Sequence, residues 1–280
     1  MDLSLNKKRP IFSDLRLAVI GHVEWVTFLL QDDFPSAGII NHAKDNLQKA
    51  AGGGAVSAIK MGTLTNRKVD FFTALGNDKQ GLECYEMLNK YNLNLYVAWK
   101  KEPTRQGVSI VDKNGDRSIT IIGKRISPTI RDNLPWDNLK NYDGIFITAT
   151  DSNVLKECRK SKVVVATPRL GLKTINDSNI ELDALIGSGN DPLERVAKDD
   201  ICIAPKVTIR TEGSRGGVII PGGRYEAAKL EGKPIDTYGC GDSFAAGVTA
   251  GIASGNKLVD AIKIGSDLGA DCASYFGPYR

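Results

Sequence analysis

The stretch "DTYGCGDSFAAGVTAGIASG", residues 236–255, sets two glycines around Cys240, places Asp242 directly after them, and then repeats Phe244, Val248 and Ile252 among small residues. The four-residue spacing predicts one apolar stripe of a tightly packed helix. The glycines therefore stand at a helix N-terminus, where unpaired N–H groups and about half a positive charge attract anions. A carboxylate built into such a place needs a reason. If the N–H groups of residues 239–242 cradle a phosphate, Asp242 faces the group that attacks it, which is the position of a general base. The bland alternative is an ordinary acidic helix-start residue, worth about 0.3–1 kcal/mol through the helix dipole.

Upstream of this helix the chain alternates between short apolar runs and helical patterns. "LRLAVIG" (15–21) reads as a buried parallel strand, and "VDFFTALG" (69–76), "YDGIFITAT" (142–150), "KVVVATP" (162–168), "LDALIGS" (182–188) and "KVTIRTEG" (206–213) as further strands. In "LECYEMLNKY", Leu82, Tyr85, Leu88 and Tyr91 share one helical side, and the C-terminal "LVDAIKIGSDLGADCASYF" carries the same period. This alternation predicts a layered α/β fold with helices on both faces of a mainly parallel sheet. One region breaks the rhythm: "LNLYVAWKKEPTRQGVSIVDKNGDRSITIIG" (93–123) contains strand-like pieces joined by a turn at Asn114-Gly115. With residues 22–48 it is expected to form a small β-sheet lid, its own share being 94–123, within one domain spanning 1–280.

Bulk properties narrow the function. The formal charge of +4 is mild and the basic residues are mixed with acidic ones, which suits an anionic small molecule better than a nucleic acid. Five cysteines without a C-x-x-C pair fit a reducing cytoplasm, and two histidines, His22 and His42, argue against a His/Cys metal site. No apolar run reaches eighteen residues, so no membrane span is expected, and "KKR" (7–9) reads as a solvated tail. No G-x-x-x-x-G-K-[ST] occurs, which excludes a P-loop enzyme.

The pattern D-T-x-G-x-G-D-x-F at 236–244 resembles the signature of the ribokinase-like (PfkB) carbohydrate kinases, with Cys240 where alanine is usual. "GGGAVSAIKMGTLTNRKVDFFTALGNDKQG" (52–81) resembles the N-terminal block of that family, with Gly52 and Gly53 at the Gly-Gly turn that approaches the sugar and with Gly76, Asp78 and Gly81 as G-x-D-x-x-G. "TEGSRGG" resembles its T-x-G-x-x-G, in which Thr211, Gly213 and Gly216 pass the nucleotide and Arg215 pairs with a phosphate oxygen.

The resemblance implies a three-layer α/β kinase that transfers the γ-phosphoryl group of ATP to a hydroxyl of a small sugar-like acceptor. Asp242 would be the base, and Gly239, Cys240 and Gly241 the backbone donors. Asp236 and Thr237 would support the loop or a monovalent cation such as K+, and Mg2+ would bridge the phosphates. Partners would be ATP and the acceptor, with no nucleic acid or membrane, and a homodimer would pair through the lid.

Departures from the pattern concern the acceptor and the metal. "GHVEWV" (21–26) puts Glu24 and Val26 where an asparagine and a sugar-gripping aspartate are usual, and Ser57 replaces another asparagine. Glu24, Ser57 and Arg105 are the remaining acceptor ligands, and an anionic or apolar group is expected to face residue 26. For the magnesium motif after "LDALIGS", strand register selects Ser188 and Asp191 while residue identity selects Asn190 and Glu194; Asp191, acting through water, is preferred. Val26 and Ser57 also favour the alternative of a weakly catalytic or non-catalytic relative that binds nucleotide and sugar as a regulator.

Overall fold

A computed structural model describes residues 11–280; the basic stretch Lys7-Lys8-Arg9 lies outside them. Nine strands form the large sheet, in the order β13-β12-β11-β10-β9-β8-β1-β4-β5. They are β1 (Leu17–Ile20), β4 (Val69–Gly76), β5 (Leu93–Lys100), β8 (Gly144–Ile147), β9 (Val163–Ala166), β10 (Ala184–Ser188), β11 (Thr208–Thr211), β12 (Gly217–Ile220) and β13 (Gly223–Tyr225). From β5 to β11 every neighbour pair is parallel, and β12 and β13 close that edge antiparallel.

The sheet has two apolar faces because its strands are apolar throughout, as buried parallel strands must be. Val19, Phe71, Phe146 and Val165 point to the face covered by α1 (Gly53–Gly62), α2 (Lys79–Leu88), α5 (Cys240–Ala253) and α6 (Leu258–Ala273). Their alternating neighbours Ala18, Ile20, Phe72, Ile145 and Val164 point to the face covered by α3 (Ser152–Cys158) and α4 (Leu172–Ser178). The small residues of α5 serve close packing: a Cβ on Gly247 would stand 2.7 Å from the backbone of Gly265 on α6. From Ser243 to Gly251 every residue of α5 is buried, so the helix lies enclosed between the sheet and α6.

The chain leaves β1 for a second, four-stranded sheet before returning to β4. That sheet runs β3-β2-β6-β7, with β2 (Glu24–Leu30), β3 (Asp45–Ala51), β6 (Gln106–Val111) and β7 (Arg117–Ile122). Its hairpins β2–β3 and β6–β7 are antiparallel, and β2 and β6 join them in parallel. One sequence expectation is corrected here: residues 94–100 do not belong to the small sheet, because β5 pairs along its whole length with β4 as the edge of the large one. The Asp112–Asp116 turn behaves as its sequence suggests, with the Asp112 carboxylate accepting the N–H groups of Asn114 and Asp116.

Strand order reverses beside β1, since the chain fills β4 and β5 on one side and β8 to β11 on the other. At such a switch point the loops after neighbouring strands diverge and leave a crevice at the carboxyl ends. Gly21 and His22 follow β1 there, and Thr148 follows β8.

Candidate active site

The first turn of α5 opens into this crevice. Gly239 caps the helix at φ 80°, a left-handed backbone that glycine adopts without strain, and a Cβ there would also press on Val56 at 2.9 Å. Cys240 N–H points at the Thr237 carbonyl (3.4 Å) and Ser243 N–H at that of Gly239 (2.8 Å). Among the described residues, the N–H groups of Gly241 and Asp242 meet no acceptor. Gly241 is exposed and has open space where a Cβ would stand, and of the two glycines only Gly239 has a positive φ. The Cys240 thiol contacts that of Cys272, and both cysteines are free.

Asp242 is enclosed by protein with one side open to the crevice, and its carboxylate accepts no hydrogen bond among the described residues. Burial raises its pKa to about 6; Glu194 and Glu24 push the same way, while Arg169 and Arg117 oppose them. Facing it is the Gly-Gly turn. A Cβ on Gly53 would stand 2.8 Å from Asp242 Oδ1, so only glycine lets the two segments approach this closely. Gly52, at φ 88°, donates its N–H to the Tyr238 hydroxyl (3.2 Å).

Ser57 is fully buried and donates its hydroxyl to the main-chain carbonyl of Asp242 (3.2 Å). It therefore supports the first turn of α5 from behind.

Asp236 is also fully buried. Its two oxygens accept the N–H groups of Tyr238 (2.8 Å) and Gly277 (3.0 Å), so the carboxylate braces the loop against the C-terminal segment. Burial raises its pKa in spite of these bonds. Thr237 reaches the small sheet: its hydroxyl donates to the Gly115 carbonyl (3.1 Å), and Arg117 Nη1 lies 2.7 Å from both the Thr237 hydroxyl and its carbonyl.

Beside the Gly-Gly turn, Glu24 starts β2 almost wholly buried, with His22 Nε2 at 3.4 Å and Arg105 Nη1 at 3.1 Å from its Oε1. Burial works to raise this carboxyl, but His22 and the charges of Arg105 and Arg125 hold it below the usual glutamate range. Burial, joined by the two arginines, holds His22 below its ordinary value, so the ring is neutral at pH 7. Asp78 positions Arg105 indirectly, because it caps α2 through Gly81 N–H and grips Thr104 N–H and hydroxyl, at 2.7–2.8 Å.

Thr211 ends β11, and the loop after β10 packs on it through Gly189 N–H to the Thr211 carbonyl (2.8 Å). Gly213 and Gly216 both have positive φ, and exposed Arg215 bonds the Asn190 side chain at 3.0 Å. Asp191 caps the short turn at Leu193 and pairs with Arg169 Nη2 (2.6 Å). Glu194 is buried, accepts Ser188 N–H (2.8 Å), and pairs with Arg169 Nε. The sequence signal for Glu194 was its identity, set one residue beyond the expected spacing. Arg169 and Arg117 had no such signal, because single arginines after a strand and in a hairpin are ordinary.

The first turn of α5 thus joins free N–H groups and a carboxylate at a strand-order switch point, facing a Gly-Gly turn. The sequence model described as "pfkB family carbohydrate kinase" matches residues 14–167 and 176–280. The chain belongs to the pfkB family of carbohydrate kinases. As a member it is a phosphotransferase with an alcohol group as acceptor, of the ATP-using kind.

A nucleoside kinase of Methanothermobacter thermautotrophicus is 22% identical over 255 residues, covering 84% of this chain and 81% of that protein. An ATP-dependent ribose-1-phosphate kinase of Halopiger xanaduensis is 23% identical over 280 residues, covering 91% of each. Among solved structures, ribokinase of Arabidopsis thaliana, complexed with ribose and ATP, aligns at TM-score 0.70 and 16% identity over 94% of both chains. That last likeness shows the ribokinase-like fold. Among the described residues no helix is long and apolar enough to cross a membrane.

Proposed function

We propose that this kinase transfers the γ-phosphoryl group of ATP to a hydroxyl of a small sugar-like acceptor, with Asp242 as the general base. The observation that carries the reading is the Asp242 carboxylate: it is raised to about 6, has no donor of its own, and sits beside the free N–H groups of Gly241 and Asp242. The acceptor hydroxyl gives its proton to Asp242 as its oxygen bonds to the γ-phosphorus and the bond to the ADP oxygen breaks. The N–H groups take up charge on the transferred group, and the apposed glycines bring acceptor and phosphate together.

Nucleotide would lie along the arc from Thr211 and Arg215 past Arg169 to the α5 turn. The small sheet acts as a lid that excludes water from the transfer. Magnesium, when bound with the nucleotide, neutralises phosphate charge. Among the described residues no three His, Cys, Asp or Glu side chains cluster as a metal cage, and Asp191 and Glu194 are already paired with Arg169. The chain thus fits a metal held chiefly by phosphates and water, which magnesium tolerates. Asp236, with both oxygens occupied by N–H donors, serves the loop; a monovalent cation beside it would draw on main-chain carbonyls.

The acceptors named for the relatives, a nucleoside and ribose 1-phosphate, together with free ribose, define the first panel to screen. ADP release should appear with one of them and fall by about two to four orders of magnitude in Asp242→Asn. No release with any acceptor, or turnover within about threefold in the variant, would defeat the reading.

A further inference from the structure

Two of the five cysteines meet directly behind the turn that carries Asp242. Cys240 opens α5 and is half-buried, and Cys272, in the last turn of α6, is fully buried. The start of one helix and the end of the other lie close together here. A Cβ on Gly269 would stand 3.4 Å from the Cys240 carbonyl, and one on Gly239 would stand 3.7 Å from the Cys272 sulfur. The Cys240 thiol donates to the Cys272 sulfur, whose own hydrogen points at the Tyr238 carbonyl (3.3 Å), with the Pro278 carbonyl at 3.6 Å. A chain of two thiol hydrogens therefore links the first residue of α5 to the carbonyl just before Gly239.

The phosphoryl transfer described above uses the main chain of this turn and neither sulfur. The surroundings of the pair also set it apart from the other three cysteines. Cys84 and Cys158 lie in the core, where burial pushes their thiols up, and Cys202 is exposed. At Cys272 the hydrogen bond from Cys240, helped by the charge of Lys60, holds the thiol below its ordinary value against the effect of burial. Lys60 is itself buried, bonded to Asp271 (2.9 Å) and to the Tyr275 hydroxyl, which flank Cys272 in sequence. A sulfur that ionises readily, touching a second thiol that is partly open to solvent, makes an oxidisable pair.

We propose that Cys240 and Cys272 form a reversible redox site, at which hydrogen peroxide joins the two sulfurs in a disulfide that suppresses phosphoryl transfer. This rests on the kinase reading above and adds to it a means of regulation at the same turn. The Cys272 thiolate attacks one peroxide oxygen; the O–O bond breaks, the other oxygen leaves as hydroxide and takes a proton to become water, and Cys272 becomes a sulfenic acid. The Cys240 sulfur then attacks the Cys272 sulfur. The S–S bond forms, the S–O bond breaks, and the oxygen leaves with the Cys240 proton as a second water. Two thiols are oxidised by two electrons, one peroxide is reduced to two waters, and a dithiol reverses the change. Both hydrogens of the chain are gone, so the Tyr238 carbonyl loses its donor, and the sulfurs close from contact to a bond of about 2 Å. Cys272 is set in a 16-residue helix, whereas Cys240 is flanked by Gly239 and Gly241, so the adjustment falls on the turn. The free N–H groups and the Asp242 carboxylate move with it, and a displacement on the order of 1 Å at a reacting group costs about 100-fold.

The test compares reduced and peroxide-treated protein in a Cys202→Ser background, which removes the exposed thiol, with whichever acceptor of the panel supports ADP release. Peptide mass mapping should find the Cys240 and Cys272 peptides joined, and kcat should be about 10- to 100-fold below that of the reduced protein. Dithiothreitol should restore the rate, which sulfinic or sulfonic acids would not allow. In Cys272→Ala and in Cys240→Ala the treated protein should keep the rate of its own reduced form. Each comparison is made within one protein, so a changed basal rate does not enter, and Cys240→Ala decides the matter if Cys272→Ala fails to fold. Failure of the joined peptide to form, a joined peptide with undiminished kcat, or an equal loss in the variants overturns this inference while leaving the kinase reading standing. Absence of ADP release from the reduced protein with every acceptor overturns both.

Discussion

Replacing Asp242 by asparagine should abolish turnover and stabilise the protein at the same time. The folded-state pKa is raised from 3.8 to about 6, first by burial. At about 1.4 kcal/mol per pH unit, the upper bound on what the ionised group costs the native state is about 3 kcal/mol. Partial opening to the crevice screens part of this, leaving about 1–3 kcal/mol. The sign follows from linkage: the native state holds this proton more tightly than the unfolded chain does, so the cost is absent below about pH 4, grows between 4 and 6, and is constant above. The amide of the variant carries no charge to desolvate, and the carboxylate it replaces accepts no hydrogen bond among the described residues. Urea denaturation at pH 7.5 should therefore show Asp242→Asn more stable than the parent by that amount, with the gap closing as pH falls toward 4. In the same preparation kcat should fall by about two to four orders of magnitude. A variant less stable than the parent at pH 7.5 would refute the argument that the carboxylate is held ionised at a cost for the sake of chemistry.

Three further outcomes are expected. For the parent enzyme, kcat/KM should rise about tenfold per pH unit below 6 and level off above 7, because the unprotonated carboxylate is the active form; a profile flat from pH 5 to 8 would remove Asp242 as base. Gly239→Ala should destabilise the fold by about 1–3 kcal/mol through the left-handed backbone and the Val56 contact, whereas Gly241→Val should keep the melting temperature and raise the KM for ATP; thermal melts and steady-state kinetics would expose a reversed pattern. Arg117→Ala removes both contacts with Thr237 and should lower kcat by about 10- to 100-fold with little change in melting temperature, and an unchanged kcat would detach the small sheet from catalysis.

Strands β1, β4 and β8 to β11 of the large sheet and the 236–242 turn were legible because each is a local signal: an apolar run, a helix stripe, glycines beside an acid; the short edge strands β12 and β13 carry no such run. Membership of a sheet is not local. The alternation of β5 reads as well for the small sheet as for the large one, and only pairing with β4, some twenty residues upstream, decides it. The same limit governs side-chain roles. Ser57 has the right residue type and the right place in the motif, yet its hydroxyl is used on the Asp242 main chain. Glu194 lies one residue beyond the expected spacing and was set aside, although the chain bends after Asp191 and brings it beneath Ser188. Motif spacing measures distance along the chain, and a 3-10 turn at Pro192–Glu194 is enough to uncouple that from position in space.

The bonds joining Gly115 and Arg117 of the β6–β7 hairpin to Thr237 make the hairpin tip and the phosphate-facing turn parts of one mechanical piece. A shift of the hairpin tip is therefore also a shift of the loop that leads into α5. Binding free energies are reciprocal: if an acceptor touching the small sheet tightens nucleotide binding by some factor, nucleotide must tighten acceptor binding by the same factor. Were that factor greater than one, the grip on ATP would be weakest when no acceptor is present, the condition in which water would otherwise take the phosphate.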